Sequence, residues 1–512
     1  MKNVLKLILF FILLFAVFLT LRLVNDATFY SDLIHKNISV FGVLSVLFTL
    51  SAFFIGFVIF LENRQPSKTL TWLIVLGIFP VFGFFAYLLF GQNFRRKRMF
   101  QKKALLDEQA FLQYKENERQ QQFLAEHTHQ ELLFRLASRL GSLNISFQTE
   151  TKVLTNGEET FSSIKEVLEK AEHHIHMEYY IVRDDKIGTE IQEILLRKQA
   201  EGVKVRFLYD AVGSFRLSKA YVGKLRSGGV EMLPFFPVRF PILNDKINYR
   251  NHRKIIVVDG KEGFVGGLNI GDEYLGKDKY FGFWRDTHLY LRGEAVQSLQ
   301  MIFLQDWFYM TGEAALDSIL LSTERIEGEG LGGVQLVAGG PDSKWETIKH
   351  LYFAMISSAR KSIWIATPYF IPDDDILAAL KVAALAGIDV RLLVPSKPDK
   401  RTVFYASRSY FPELLEAGAK IYEYERGFLH SKIVIVDFSL ASIGTANMDM
   451  RSFHLNFEIN AFLYDTASIH KLVQDFEEDL TVSKEIHMDQ FNKRRLVMRI
   501  VESTYRLLSP LL

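Results

Sequence analysis

Cysteine is absent from the 512 residues. That excludes structural disulfides, thiolate zinc sites and a thiol nucleophile together, while leaving the compartment open. An excess of one charge is also absent: 61 basic side chains face 59 acidic ones, for a net charge of +2. The chain is therefore no polyanion binder by composition, and its basic residues matter only where they cluster. Proline and glycine are missing from residues 93–140, which are rich in Glu, Gln, Lys and Leu. That stretch reads as one or two helices ending near Gly141.

What is plentiful is apolar sequence, concentrated in the first hundred positions. Ile38 to Leu61 and Thr69 to Phe90 are uncharged runs. Each exceeds the about 20 residues that carry a helix across ~30 Å of hydrocarbon. Only Glu62 to Lys68 separate them, so they are expected to form a transmembrane hairpin. Gly77 and Pro80 are tolerable in such a span. Residues 7–21 form a shorter apolar stretch, expected to be retained, and leave open two or three spans. Arg95, Arg96, Lys97, Arg98, Lys102 and Lys103 follow the second long run, against Arg64 and Lys68 in the loop. The positive-inside rule places everything after residue 92 in the cytoplasm.

Length points to two or three folding units. Residues 1–92 are expected to be a membrane anchor and 93–145 a helical connector. Beyond it, strand-like runs (Val203–Tyr209, Lys254–Val258, Ile363–Ala366, Val390–Val394, Ile433–Val436) alternate with helical stretches such as Glu159–Glu172 and Asp375–Ala386. This is the pattern of an α/β sandwich.

The alternation also repeats. His252-Arg-Lys254 is followed by four apolar residues and Asp259; His430-Ser-Lys432 is followed by four apolar residues and Asp437. Gly266 and Asn269 stand 14 and 17 positions after the first His, and Gly444 and Asn447 stand at the same distances after the second. One offset of 178 residues maps all of them. We expect two halves, 146–315 and 346–485, forming a pseudo-dimer. A glycine-rich linker over 316–345 is expected between them, and an amphipathic C-terminal helix over 486–512.

The six residues His252, Lys254, Asp259, His430, Lys432 and Asp437 are the candidate catalytic set. On a regular strand, residues two apart share a face, so each His and Lys project together. Each Asp falls on the opposite face and reads as structural. Two Lys, with Asn269 and Asn447 from the next strand, can hold the oxygens of an anionic phosphodiester. One imidazole can attack phosphorus, and the other can protonate the leaving alkoxide and then deprotonate the incoming alcohol. Neither metal nor cofactor is expected. Asp286, 34 positions after His252, and Glu458, 28 after His430, are the candidates to orient the imidazoles. Their unequal spacing weakens the correspondence.

These motifs resemble the phospholipase D superfamily and, within it, the bacterial cardiolipin synthase family. Asn63-Arg-Gln-Pro-Ser-Lys-Thr69, Asn248-Tyr-Arg-Asn-His-Arg-Lys254 and Gly263-Phe-Val-Gly-Gly-Leu-Asn-Ile-Gly-Asp-Glu-Tyr274 carry the resemblance. So do Thr367-Pro-Tyr-Phe-Ile-Pro372, Gly427-Phe-Leu-His-Ser-Lys432, Gly444-Thr-Ala-Asn-Met-Asp-Met-Arg-Ser452 and the ending Leu508-Ser-Pro-Leu-Leu512. It spans nearly the whole chain and implies a metal-free, two-step transfer. His252 would be the nucleophile and His430 the acid/base, though the residues themselves do not separate the two. One phosphatidylglycerol would leave its phosphatidyl group on the enzyme and release glycerol, and the hydroxyl of a second would then yield cardiolipin. Anionic membrane lipid is thus the implied partner, nucleic acid is not, and the oligomeric state stays open. A hydrolytic phospholipase D is the nearest alternative. An inactive lipid-binding scaffold is the alternative of another class.

At the C-terminus, Arg495, Arg499 and Arg506 recur at helical spacing, with Val497, Ile500, Val501, Tyr505 and Leu508 largely opposite them. This suits an interfacial helix, or equally a helix packed on the core with a solvated basic face.

Overall fold

A computed structural model describes residues 131–141, 145–237, 248–313 and 331–509, with 66–79 and isolated positions elsewhere. The chain divides into two compact units, Met1–Arg95 and Arg96–Leu512. In the first, the described helix Pro66–Ile78 begins inside the expected hairpin loop. No helix of the described residues is long and apolar enough to cross a membrane. Most of the run 38–61, part of the run 69–90, all of residues 7–21 and the connector up to 130 lie outside the described residues.

The second unit holds two mixed α/β sheets. In the first half these strands are β1 (Thr149–Thr155), β2 (His174–Tyr179), β3 (Lys204–Asp210), β4 (Glu231–Phe235), β5 (Ile255–Val258), β6 (Glu262–Gly266) and β8 (Thr287–Gly293), in the order β1-β8-β6-β5-β2-β3-β4. The short β7 (Phe283–Arg285) lies outside that sheet. The second half supplies β9 (Gly333–Gly339), β10 (Ser362–Ala366), β12 (Asp389–Pro395), β13 (Lys420–Tyr424), β15 (Ile433–Val436), β16 (Leu440–Gly444), β18 (Glu458–Tyr464) and β19 (Ser483–Ile486). Their order is β19-β13-β12-β10-β15-β16-β18-β9. Dropping the outermost β19, the two orders superimpose strand for strand. In each half a parallel trio continues into antiparallel strands.

The central strands β5 and β15 read Ile-Ile-Val-Val and Ile-Val-Ile-Val and are buried throughout. Such unbroken apolar runs suit strands covered on both faces. One core cluster draws Ile255, Val265 and Leu289 together with Ile433, Ile443 and Leu463, so the two sheets share apolar packing. Helices cover the outer faces. Lys186–Ala200 starts where Asp185 accepts the N–H of Gly188 at 3.1 Å, and Asp374–Leu385 where Asp373 accepts that of Ile376 at 3.1 Å. Both are ordinary N-caps.

Two local expectations change. The stretch read as a glycine-rich linker carries β9, an edge strand paired with β18 along its whole length. The motif His and Lys also precede the ladder, since β5 and β15 begin one residue after each Lys.

Candidate active site

The halves meet through two short parallel pairings, and these build the site. Asn251 bridges Phe457, and the His252 N–H donates to the Phe457 carbonyl at 2.9 Å. The next residues, His252 and Glu458, therefore lie side by side. On the other side β14 (Gly427–Leu429) pairs with β7, ending on Leu429 opposite Arg285. There the His430 N–H donates to the Arg285 carbonyl at 2.7 Å, which sets His430 beside Asp286.

The imidazoles follow. His252 Nδ1 lies 2.9 Å from Glu458 Oε2, and His430 Nδ1 lies 2.7 Å from Asp286 Oδ2. Each histidine is thus held by the acid of the other half. This corrects the expected assignment within halves. It also removes the difficulty of unequal spacing. Gly266 pairs with His288 and Gly444 with Asn460, so each acid lies two residues before an equivalent ladder position. Six residues fewer separate Gly444 from Asn460 than separate Gly266 from His288. The acids are equivalent in the sheets although their distances from the motifs differ.

Each carboxylate is itself held. Glu458 accepts the Thr445 hydroxyl at 2.6 Å and the Asn456 amide at 3.1 Å. Asp286 accepts the Thr287 N–H at 2.8 Å and the Trp284 indole at 3.4 Å. The two halves differ at a matched position beside these acids. Where the second has Thr445, the first has Gly267, and a Cβ there would stand 2.1 Å from Asp286 Oδ1. Only glycine leaves room for the acid.

Burial pushes the imidazoles down, His252 to about 4 and His430 to about 3, although each carboxylate pulls the other way. Burial alone would raise Asp286 and Glu458, but the imidazole and lysine charges outweigh it and leave both below their ordinary range. Near neutral pH both rings are neutral, each giving its Nδ1 hydrogen to an acid and leaving Nε2 as a lone pair. Side-chain exposures of 12 % and 10 % leave the rings within reach of a substrate.

Lys254 and Lys432 donate to the carbonyls of His252 and His430, the first at 2.7 Å. Burial lowers Lys254 to about 7 and Lys432 to about 8. The Lys432 charge further depresses Lys254 and His252, and that of Lys254 depresses His430. The two motifs therefore feel one another's field. An anionic phosphodiester between them would restore both ammonium charges.

Asn269 is buried, its Oδ1 accepting the Ile181 N–H at 3.0 Å and its Nδ2 donating to the Tyr274 hydroxyl at 3.2 Å. Asn447 is buried too, and its Oδ1 has no partner among the described residues. The motif acids sit elsewhere. Asp259 accepts the N–H groups of Glu172, His173 and His174, each at 2.8 Å, and Asp437 those of Arg360, Lys361 and Ser362 at 2.7–2.9 Å. Both turn in the left-handed region, at φ 55° and 51°. They tie each motif strand to the start of β2 or β10.

Four neighbours escaped the reading of the sequence. The Tyr180 ring meets His252 edge-on at 4.9 Å and lies under the Lys254 ammonium at 5.4 Å. Trp284 lies 5.1 Å from His430. Arg253, inside the first motif, reaches across to the Glu458 carbonyl at 3.2 Å and pairs with Asp306. Arg285 donates to the Asp286 carbonyl at 2.7 Å and to both Asp479 oxygens at 2.8 Å. Arg253 had its signal in the motif, whereas the other three follow only from the fold. Among the described residues no three His, Asp or Glu side chains gather as a metal shell.

Two half-domains that each bring a His and a Lys to their shared seam, each His held by the acid of the other half, define a phospholipase D-type protein. The chain belongs to the cardiolipin synthase, PLD-like domain family, whose model matches residues 164–307 and 352–480. A phospholipase D-nuclease N-terminal model matches residues 49–92. The chain is 79 % identical to cardiolipin synthase 2 of Bacillus anthracis and 63 % identical to a cardiolipin synthase of Geobacillus sp. (strain WCH70), covering 100 % of both chains in each case. The crystal structure of phosphatidylserine synthase from Haemophilus influenzae Rd KW20 shares the fold. Its TM-score is 0.54 at 16 % identity, over 74 % of this chain and 99 % of that one.

Proposed function

We propose that this chain makes cardiolipin from two molecules of phosphatidylglycerol through a phosphohistidine. The observation that carries the mechanism is the crossed pairing of His252 with Glu458 and of His430 with Asp286. It supports two neutral imidazoles, each with a free Nε2, beside two ammonium groups.

His252 Nε2 attacks phosphorus of the first phosphatidylglycerol. The phosphorus–oxygen bond to the headgroup glycerol breaks, and His430, whose Nε2 takes up a proton as the anionic phosphodiester binds, gives that proton to the leaving glycerol oxygen. The hydroxyl of a second phosphatidylglycerol, deprotonated by His430, then displaces His252. One phosphodiester replaces another, so no nucleotide is consumed. Lys254, Lys432 and the Asn269 and Asn447 amides hold the phosphoryl oxygens and stabilise the charge that builds up. Asp259 and Asp437 act through the fold.

Residues 38–61 and 69–90 span the bacterial cell membrane, and the basic cluster after residue 92 keeps the catalytic unit cytoplasmic. The uncharged runs and the Arg95–Lys103 charges support this arrangement. The anchor raises the effective concentration of lipid at the site.

The test is purified full-length protein incubated with phosphatidylglycerol vesicles and excess EDTA, read by lipid mass spectrometry and glycerol release. Cardiolipin and glycerol in equal amounts, with the phosphatidyl group trapped on His252, support the reading. Phosphatidic acid identifies a hydrolase, unchanged lipid a scaffold, and product lost with EDTA a metal-dependent route.

A further inference from the structure

The helix Leu496–Leu507 is mounted with its apolar side outward. Glu502 is its buried residue, and it sits between Arg494 at 2.8 Å and Arg408 at 3.6 Å. Tyr505 stacks on Tyr405 with centroids 5.8 Å apart, and Arg506 binds Glu413 at 2.6 Å. The side turned to solvent carries Leu496, Val497, Ile500 and Leu507, exposed by 69, 71, 57 and 82 %. At about 100° per residue these four fall within an arc of about 100°. This fits neither packing on the core through the apolar side nor a basic face alone turned to water.

The charge around the stripe has one sign. Lys493, Arg495 and Arg499 are exposed, and Glu502 is the single acid between 493 and 508. The helix leans on Arg401–Arg408, which begins two residues after Asp399; the Asp399 carboxylate accepts the Tyr369 hydroxyl. Tyr369 precedes β11 (Phe370–Ile371), paired with β17 (Met448–Asp449) directly after Asn447. The stripe thus belongs to the chain of elements that ends at the candidate site.

We propose that this helix docks on the anionic bilayer surface, with the four aliphatic side chains in the acyl boundary and the exposed basic residues at the headgroup phosphates. A cationic rim around an apolar stripe matches a surface that is anionic above and apolar below. A protein partner would not require the single sign of charge. The inference goes beyond the transfer reaction and can fail separately from it, because insertion is measured without turnover.

The absence of cysteine makes the test direct. A spin label on Ile500→Cys or Leu507→Cys, in the full chain reconstituted in phosphatidylglycerol vesicles, is compared with one on the exposed Glu193→Cys. The 500 and 507 labels are expected about 5–10 Å below the headgroup boundary, relaxed by oxygen and shielded from an aqueous nickel chelate. The 193 label should stay aqueous. Arg495→Glu with Arg499→Glu should move the first two labels into water. Labels at 500 and 507 as aqueous as that at 193 overturn the proposal. So does dipolar broadening between copies, which marks a self-interface. Shielding from both relaxants also overturns it, because it marks a face covered by protein.

Discussion

Replacing Glu458 by Gln tests the crossed architecture most directly. The side chain keeps its shape and one acceptor oxygen, so the Nδ1 hydrogen of His252 still has a partner. What is lost is the negative charge 2.9 Å from the ring, on a side chain with no exposed surface. A buried charge-assisted hydrogen bond contributes about 1.5–3 kcal/mol. Taking the upper part of that range, because the pair is dry, gives a loss of about 30- to 150-fold in rate. Each ring needs that charge only when it becomes cationic or forms a bond to phosphorus, so the loss should appear in kcat. The assay is cardiolipin formation together with rapid-quench measurement of the phosphoenzyme. If His252 is the nucleophile, Glu458→Gln slows appearance of the phosphoenzyme. Asp286→Asn, acting on His430, slows the proton transfers in both steps. If the acids served their own halves, the two variants would exchange these signatures, and the crossed reading would be wrong. A change in kcat below about twofold would refute the energetic argument.

Three further outcomes follow from the same geometry. Gly267→Ala drives a methyl group against Asp286, costing about 1–3 kcal/mol of stability, and turns the acid from His430. Its melting temperature and kcat should therefore fall together, with Thr445→Gly as the milder mirror change. Asp259→Ala leaves three backbone N–H groups without their acceptor, and at about 1 kcal/mol each should cost about 3 kcal/mol in urea unfolding. The rate per folded molecule should stay near wild type. For pH, kcat/KM should drop below about 4, where His252 takes a proton, and decline as pH rises, because His430 must carry a proton and because Lys254 and Lys432 lose theirs near about 7 and 8. Stability has its own acid limb. The unfolded histidines bind protons from about 6.5 downward while the folded ones do not, so the melting temperature should drop between about 6.5 and 4.

The repeat was legible because equal spacing survives within each motif. The strand-and-helix alternation was legible from the apolar runs, whereas the parity argument for Asp259 and Asp437 assumed a regular strand from each His, and the strands begin only after Lys254 and Lys432. The pairing of His252 with Glu458 and of His430 with Asp286 could not be read. The partners are 206 and 144 residues apart, and nothing local marks a contact made where two halves meet. Counting forward from each histidine favoured the acid of its own half, and the six-residue difference then looked like a flaw. Sheet register shows it as a shorter connection between equivalent strands. The C-terminal helix was left open for another reason. Its periodicity was visible, but a pattern of apolar and charged faces does not say which face turns inward. Here the buried Glu502 and its arginines decide it.

The crossed acids also bear on why both halves stay in one chain. A half alone would hold its histidine without the carboxylate that fixes the ring, because that carboxylate comes from the other half. Arg253 and Arg285 strengthen the dependence. Arg253 ties the first motif to the Glu458 carbonyl, and Arg285 ties the Asp286 carbonyl to Asp479 in the second half. Both guanidinium groups are buried, so losing either would strand a carboxylate and a carbonyl together. The halves have meanwhile diverged around this shared frame. Gly267 corresponds to Thr445, Arg253 to Ser431 and Asp286 to Glu458, so the two imidazoles have different surroundings.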